Sequence, residues 1–375
     1  MPTMRLNWSP SWTKGLVALS FLALAFALVS IFASQVEYRP LDWRNYVLAA
    51  SQMLEGGSPY QSVEFFGPPW LAVALIPLAL LPASLSSAAW LLISVSAVFI
   101  SHVMWTRFDG YPPNPTARLL LSAASVASPV ALFVYITGQI TPLVELAFIW
   151  LAIYTVRGAK GRLVVVAIAS FLITSKPHII VFPMLVVLLE AARGQRWRVP
   201  LTFSATALVA GIGAFLLLPS WPREWLAAIV DGRYLGGPGL VAQGYFGLRE
   251  AGVPEGLLVL PAIYTLFYWN RHGLTARTIA LSLASGLILV PYARTYDFII
   301  LWPSIITASG LWLERSRRVV QFGPILVFML LPLSNLAMLL PVLAMGFLLL
   351  GASLKKRPTT LSVNSKLRAA PGRIG

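Results

Sequence analysis

Long apolar runs recur along almost the whole chain, separated by short segments that carry most of its charges. A run of about 20 apolar residues crosses a bilayer as a helix, because a helix satisfies its backbone polar groups internally. Hydrophobic residues make up 58% of the sequence and charged residues 11%, whereas soluble domains carry about 25% charged residues. The pattern predicts an all-α polytopic membrane protein built as one helical bundle.

The apolar runs predict about twelve membrane helices, with both chain ends on the same side of the membrane. The transmembrane domain extends over residues 1–354, and we expect the basic tail, 355–375, to be disordered. The helices are predicted near residues 15–34, 85–105, 117–136, 141–156, 162–174, 178–192, 200–218, 255–270, 277–292, 298–313, 319–332 and 335–351.

The distribution of cations orients this bundle. The net charge of +15 does not indicate nucleic-acid binding, because the cations cluster between the apolar runs, as in membrane proteins whose cytoplasmic loops are basic. This threading places 21 of the 28 cations inside. The outer ones are Arg39, Arg44, Lys176, Arg223, Arg233, Arg249 and Arg294. Both termini are therefore predicted to be cytoplasmic in a multi-pass cell-membrane protein, with outer loops at 35–84 and 219–254.

The first outer loop is predicted to contain two interfacial helices. The first covers residues 43–55, with Asp42 as its N-cap by position and Gly56-Gly57 at its end. Its apolar face combines Trp43, Tyr46, Val47, Ala50, Met53 and Leu54. The second covers 68–82 and is too short to span a bilayer. Asp42 is one of only 13 acids, and a carboxylate at a membrane face is costly unless it has a partner or a role.

Another break interrupts the apolar residues 163–190. As one helix, this stretch would place Lys176 in the middle of the bilayer, at a cost of about 3 kcal/mol or more. Two short helices would instead place Lys176-Pro177-His178 at the outer face. We expect the second arrangement, a helical hairpin, because basic loops flank both of its ends.

The sequence offers few metal ligands. It contains no cysteine and only three widely separated histidines, which argues against thiol chemistry and a multi-histidine metal site. No second acid is expected to adjoin Asp42, because Glu37, Glu55 and Glu64 are scattered in the sequence around it. No cofactor is expected, and activity should survive EDTA.

The outer-loop motif resembles that of a known class of membrane enzymes. Its elements are Asp42, Tyr46, Ala49-Ala50, Gly56-Gly57, Pro59-Tyr60 and Pro68-Pro69. The chain is similar here to the GT-C glycosyltransferases, and most of all to the polyprenyl-phosphate-mannose-dependent enzymes of glycosyltransferase family 87. Gly138-Gln139 and Lys176-Pro177 resemble two further motifs of that family, whereas Phe66-Gly67 stands where the family usually has a Tyr.

The resemblance implies a GT-C-like bundle and an inverting hexosyltransferase. The donor would be a polyprenyl-phosphate sugar, with mannose as the leading candidate, and the acceptor a lipid or glycan at the extracytoplasmic face. Asp42 would be the general base, a role worth roughly 10²–10⁴-fold in rate. Judged from the residues alone, Asp42 serves equally well as a helix cap.

Cations and polar groups of the outer face are candidates for holding such a donor. The leaving phosphate needs cations or N–H donors, and Lys176, His178 and Arg294 are predicted to supply them. Arg294 has a structural alternative as the salt-bridge partner of Asp297, three residues later. The predicted substrate-binding residues are Tyr46, Gln139, Tyr60 and Asp297. The aromatic residues of the long outer loop either stack on a sugar or belong to an interfacial belt.

Two other functions fit about twelve membrane helices. A polytopic transporter or lipid-carrier flippase should show two similar halves with interrupted helices near the midplane. No such internal symmetry is visible, and the polar residues concentrate at the outer face. A non-catalytic membrane subunit is the third alternative.

Overall fold

The structure is a computed structural model that describes residues 40–61, 64–158, 163–230, 245–291, 293–313, 323–333 and 336–353. Within these ranges every regular element is helical, as predicted. The α-helices in chain order are α1 (Leu41–Leu54), α2 (Pro69–Ala79), α3 (Ala83–Asp109), α4 (Pro115–Val126), α5 (Pro129–Thr137), α6 (Thr141–Arg157), α7 (Leu163–Thr174), α8 (Val181–Arg193), α9 (Arg198–Leu217), α10 (Trp221–Val230), α11 (Tyr245–Glu250), α12 (Glu255–His272), α13 (Ala276–Leu289), α14 (Trp302–Leu313), α15 (Gly323–Leu330) and α16 (Leu340–Ser353). Short 3₁₀ helices cover Pro59–Gln61, Pro177–Ile179, Thr295–Leu301, Leu331–Leu333 and Ala337–Leu339.

Most predicted helices occur close to their expected positions. The predicted helix at 117–136 is instead divided into α4 and α5, which meet at an angle of 46°. Ser128 caps α5 by accepting a hydrogen bond from the Ala131 N–H, and Pro129 occupies the first turn, where its missing N–H costs nothing. The predicted helix at 15–34 and the tail at 355–375 lie outside the described residues.

Two described helices, α3 and α9, are long and apolar enough to cross a membrane, and the bent pair α4–α5 makes a third if it forms one span. Apolar side chains such as Leu208, Val209 and Leu216 are exposed along α9. The other apolar helices are shorter. Helices of 12 or 13 residues, such as α7 and α8, extend only about 18–20 Å at 1.5 Å per residue. The number of twelve spans therefore stays a prediction.

The break around Lys176 forms a hairpin, as expected. Helix α7 ends at Thr174 and α8 begins at Val181. Gly158, at the end of α6, lies against Arg196, which follows α8, because a Cβ on Gly158 would sit 3.4 Å from the Arg196 guanidinium. The start of α7 and the end of α8 are therefore at one end of the bundle, and Lys176 lies at the other.

The buried side chains form two hydrophobic clusters. The larger one joins α3 to α9 with α11 to α16, and the smaller one attaches α1 and α2 to α3. Trp43 of α1 stacks on Trp90 of α3 with ring centroids 4.3 Å apart, and both indoles are buried. This contact fixes the start of α1, and therefore Asp42, against the bundle.

Candidate functional site

Asp42 lies in the first turn of α1 but does not cap it. The N-cap is Pro40, whose carbonyl accepts a hydrogen bond from the Arg44 N–H, and no side chain caps this helix. The predicted N-cap role of Asp42 is therefore wrong. Its half-buried carboxylate instead accepts a hydrogen bond through Oδ2 from Nε2 of Gln139, 97 residues further along the chain.

The turn at Gly138 brings Gln139 to Asp42. Gly138 has φ +74°, and a Cβ there would lie 2.6 Å from Cβ of Trp43 and 2.8 Å from Cβ of Pro40. Its carbonyl accepts a hydrogen bond from Nε1 of Trp90 at 2.8 Å. Only glycine allows both this backbone conformation and this close approach of α1. The Gly-Gln motif therefore has a physical role in building the site.

Lys176 connects Gln139 to Asp297. Its Nζ donates to Oε1 of Gln139 at 3.0 Å, to Oγ1 of Thr141 at 3.0 Å and to Oδ1 of Asp297 at 2.5 Å. Asp297 is 1% exposed and Lys176 11%. An ammonium group has three donors, so these contacts occupy all of them. Lys176 positions the network around Asp42 rather than presenting a free donor to a ligand.

Tyr46 and Arg294 complete this network, which we call the polar cluster: Asp42, Tyr46, Gln139, Thr141, Lys176, Arg294, Tyr296 and Asp297. The Tyr46 hydroxyl donates to Oε1 of Gln139 at 3.3 Å. The Arg294 backbone N–H donates to Oδ2 of Asp297 at 3.1 Å, and the side chain of Arg294 is close enough to lower the pKa of Asp42. Among the described residues, the carboxylate of Asp297 forms an ion pair with Lys176.

The electrostatics of the polar cluster favour a basic carboxylate at Asp42. Burial raises its pKa above the ordinary value; the Gln139 hydrogen bond and the charges of Lys176 and Arg294 oppose this rise, and the charge of Glu64 adds to it. A raised pKa makes Asp42 a stronger base than a fully solvated aspartate. General bases work best with a pKa near the operating pH, so the shift is in the useful direction.

His178 does not supply the positive charge predicted for it. Burial, together with the neighbouring charge of Lys176, lowers the pKa of His178 to about 3, against a weaker opposing effect of Asp297. At neutral pH the imidazole is therefore uncharged. His178 lies beside the polar cluster as a neutral group, chiefly because burial disfavours the charged imidazole.

Glu64 lies closer to Asp42 than its position in the sequence suggests. Oε2 of Glu64 accepts a hydrogen bond at 2.9 Å from Nδ2 of Asn45, three residues after Asp42. The negative charge of Glu64 contributes to the raised pKa of Asp42. The expectation that no acid adjoins Asp42 is wrong for Glu64, because the loop after α1 folds back over this helix.

Tyr60 lies outside the polar cluster. Its hydroxyl donates to the Gly67 carbonyl at 3.1 Å, a contact that shapes the loop between α1 and α2. The start of the segment predicted to form the long outer loop, 219–254, packs on the same region. Nε1 of Trp225 donates to the Phe66 carbonyl at 2.9 Å, and the Ser58 hydroxyl donates to Glu224. At the other end of that loop, Arg249 forms an exposed pair with Glu255, and Arg233 lies outside the described residues.

Two members of the polar cluster were not predicted. Thr141 donates through Oγ1 to Oδ1 of Asp297 at 2.9 Å and accepts from Lys176. Tyr296 lies under Nζ of Lys176, 4.8 Å from the ring centroid, and burial raises its pKa well above the ordinary value. Thr141 begins α6, shortly after the predicted site residue Gln139, and Tyr296 lies in the first turn of the 3₁₀ helix that follows Arg294. This position after a predicted site residue is the only sequence signal that could have identified them.

A comparison with protein-family models gives no match, and neither does a search of curated proteins. The function is therefore inferred from the geometry of the polar cluster and from the motif resemblance.

Proposed function

We propose that the protein is an integral-membrane glycosyltransferase that moves a sugar from a polyprenyl-phosphate carrier to a hydroxyl of a lipid or glycan acceptor. One observation carries the proposal: a half-buried carboxylate with a raised pKa, Asp42, lies beside the cationic side chains of Lys176 and Arg294. A base for the acceptor and positive charge for a departing phosphate are the two requirements of this chemistry. The sugar suggested by the motif resemblance is mannose.

The reaction would be a single displacement at the anomeric carbon. The acceptor hydroxyl forms the new bond to carbon one while its proton moves to Asp42. The bond between carbon one and the phosphate oxygen breaks, and the lipid phosphate leaves with the electron pair. Attack from the face opposite the phosphate inverts the configuration, and one base is sufficient for this step.

Arg294 is the residue that we assign to the departing phosphate. The protein contacts of Lys176 occupy its three N–H donors. Its charge would therefore act on the phosphate from a distance, and its hydrogen bond would keep Gln139 in position. An arginine side chain carries five donors in a planar fork that matches phosphate oxygens. Gln139 positions Asp42 by donating a hydrogen bond to it, and the Tyr46 hydroxyl donates in turn to Gln139.

The direct test is sugar transfer by the purified full-length protein in liposomes. Radiolabelled polyprenyl-phosphate mannose and glucose would be offered with a membrane-lipid extract as the acceptor. The proposal predicts a labelled product and release of polyprenyl phosphate. Movement of the intact donor between leaflets, without any product, would contradict it and favour the transporter or flippase alternative.

Activity should not depend on a divalent metal. Among the described residues no group of three or more Asp, Glu or His is arranged to hold a metal ion. Asp297 is already compensated by Lys176. Transfer measured with excess EDTA should therefore equal transfer without it. Loss on chelation that Mg²⁺ restores would contradict this and identify Asp42 with Glu64 as the ligands to examine.

The polar cluster should be accessible from the extracytoplasmic side. The chain contains no cysteine, so single cysteines at positions 42 and 294, which leave the Lys176–Asp297 pair in place, report their own exposure. We expect a membrane-impermeant maleimide to label them from outside intact cells. Arg198→Cys, at the opposite end of the bundle, is the matched control and should be labelled only after permeabilisation. The reverse pattern would contradict the orientation that the charges predict.

A further inference from the structure

An open groove lies at the end of the bundle opposite the polar cluster. It forms where α12 ends, α13 begins and α16 ends, and its volume is about 480 Å³. Its polar wall consists of Tyr264, Tyr268, Arg271, His272 and Arg277. We call it the basic groove. No described residue that lines it is acidic, so its positive charge has no carboxylate partner in the wall.

Arg277 is held in place by aromatic contacts that leave hydrogen-bonding capacity. Its guanidinium carbon lies 4.5 Å from the ring centroid of Tyr268, and Nη2 donates to the Tyr264 hydroxyl at a long 3.4 Å. Nε is buried and has no hydrogen-bond partner among the described residues. A buried donor without a partner is costly. Arg277 also lines the groove, and phosphate oxygens suit an arginine fork.

The groove is also bordered by apolar surface. Phe267, which is 52% exposed, lies beneath Arg271 with its ring centroid 4.2 Å from the guanidinium carbon. Leu349 of α16 is 36% exposed on the other side. A soluble anion would leave this apolar surface exposed, whereas the acyl chains of a lipid would cover it.

The location of the groove separates it from the proposed transferase chemistry. Arg277 is in the first turn of α13, and the polar cluster lies beyond the last residue of this helix, which has 14 residues and a length of about 21 Å. The end of α8 also reaches this side, since Nη1 of Arg193 donates to the Asn270 carbonyl at 3.2 Å. The surrounding cations are those that the charge distribution assigns to the cytoplasm.

We propose that the basic groove binds a phosphate group, namely the headgroup phosphate of an anionic phospholipid in the adjoining leaflet. The guanidinium groups of Arg271 and Arg277 and the Tyr264 hydroxyl contact the phosphate, and the acyl chains lie along Phe267 and Leu349. Basic pockets between membrane helices bind anionic headgroups in this way. The proposal goes beyond glycosyl transfer and requires only that the helices lie in a bilayer.

Native mass spectrometry of the full-length protein in detergent tests this proposal. The protein is incubated with phosphatidylglycerol or phosphatidylcholine, and the lipid-bound fraction is measured. Wild type should retain phosphatidylglycerol preferentially, and Arg271→Gln with Arg277→Gln should lower its occupancy by about 10-fold or more, since both phosphate-binding forks are lost. Arg198→Gln is the matched control: an exposed arginine at the same end, outside the groove, whose removal should leave occupancy unchanged.

Competition with glycerol 1-phosphate distinguishes the two sources of a phosphate group. A lipid site should lose little phosphatidylglycerol to millimolar glycerol 1-phosphate, whereas binding of the soluble ester alone would overturn the lipid assignment. Equal phosphatidylglycerol occupancy in the double variant, Arg271→Gln with Arg277→Gln, and in Arg198→Gln would overturn the site itself. Equal retention of phosphatidylcholine and phosphatidylglycerol by the wild type would overturn it as well. If the double variant does not fold, Arg271→Gln alone keeps the contacts of Arg277 and should still lower phosphatidylglycerol occupancy.

Discussion

Replacing Asp42 with Asn should lower sugar transfer by at least about 10²-fold, because a general base contributes roughly 10²–10⁴-fold. Asn has nearly the same shape, so α1 and the stacking of Trp43 on Trp90 should persist. Since Asp42 does not cap the helix, the loss of its charge should cost little stability. The measurement is the initial rate with the lipid-linked donor, together with the unfolding temperature in detergent.

The matched control for this variant is Glu55→Gln. Glu55 follows α1 and is exposed, and its replacement removes the same charge from the other end of the same helix. It should retain nearly wild-type transfer. If Asp42→Asn keeps more than about a third of the wild-type rate, where loss of a general base should cost at least about 10²-fold, Asp42 is not the base and Glu64 becomes the next carboxylate to test.

Replacing Lys176 with Ala should destabilise the protein as well as inactivate it. The change leaves Asp297, which is 1% exposed, as a buried carboxylate without its cation. Breaking a buried pair from one side costs about 3–5 kcal/mol. A lower unfolding temperature is therefore expected, and adding Asp297→Asn should recover much of it because the uncompensated charge is removed.

Arg294→Ala separates phosphate binding from this structural role. We expect it to lower kcat/KM for the lipid-linked donor by about 2–4 kcal/mol in transition-state stabilisation. Its unfolding temperature should fall less than that of Lys176→Ala. If Lys176→Ala unfolds at the wild-type temperature, the buried pair is not an essential contact. If Arg294→Ala has normal donor kinetics, the phosphate site lies elsewhere, and Arg223 and Arg249 are the next candidates.

Local sequence patterns were sufficient for most of the helices. The apolar runs, the prolines at 68 and 69 and the glycines at 56 and 57 act over one or two turns, so their effects are readable without tertiary contacts. The break at Lys176 could also be predicted, because a charge in the middle of an apolar run is costly in a bilayer. The division of 117–136 was missed, although Ser128 and Pro129 provide a local cap and start.

The sequence could not predict which side chains are buried or the residue at which a helix begins. An Asp before an apolar helix looks the same in the sequence whether it is the cap or the second residue of the helix. Only the extended backbone of Pro40, with φ −52° and ψ 133°, distinguishes them. The charge of His178 likewise depends on its surroundings, because burial and the proximity of Lys176 keep the imidazole neutral.

The sequence by itself determined a helical chain with apolar surfaces and identified Asp42, Gln139, Lys176, Arg294 and Asp297 as separate candidates. Tertiary structure alone decided that they form one network. Gln139 is 97 residues from Asp42, and Lys176 is 121 from Asp297. Contacts across such distances depend on the packing of several helices. Here the packing is set by the Trp43–Trp90 stack and by the missing side chain of Gly138.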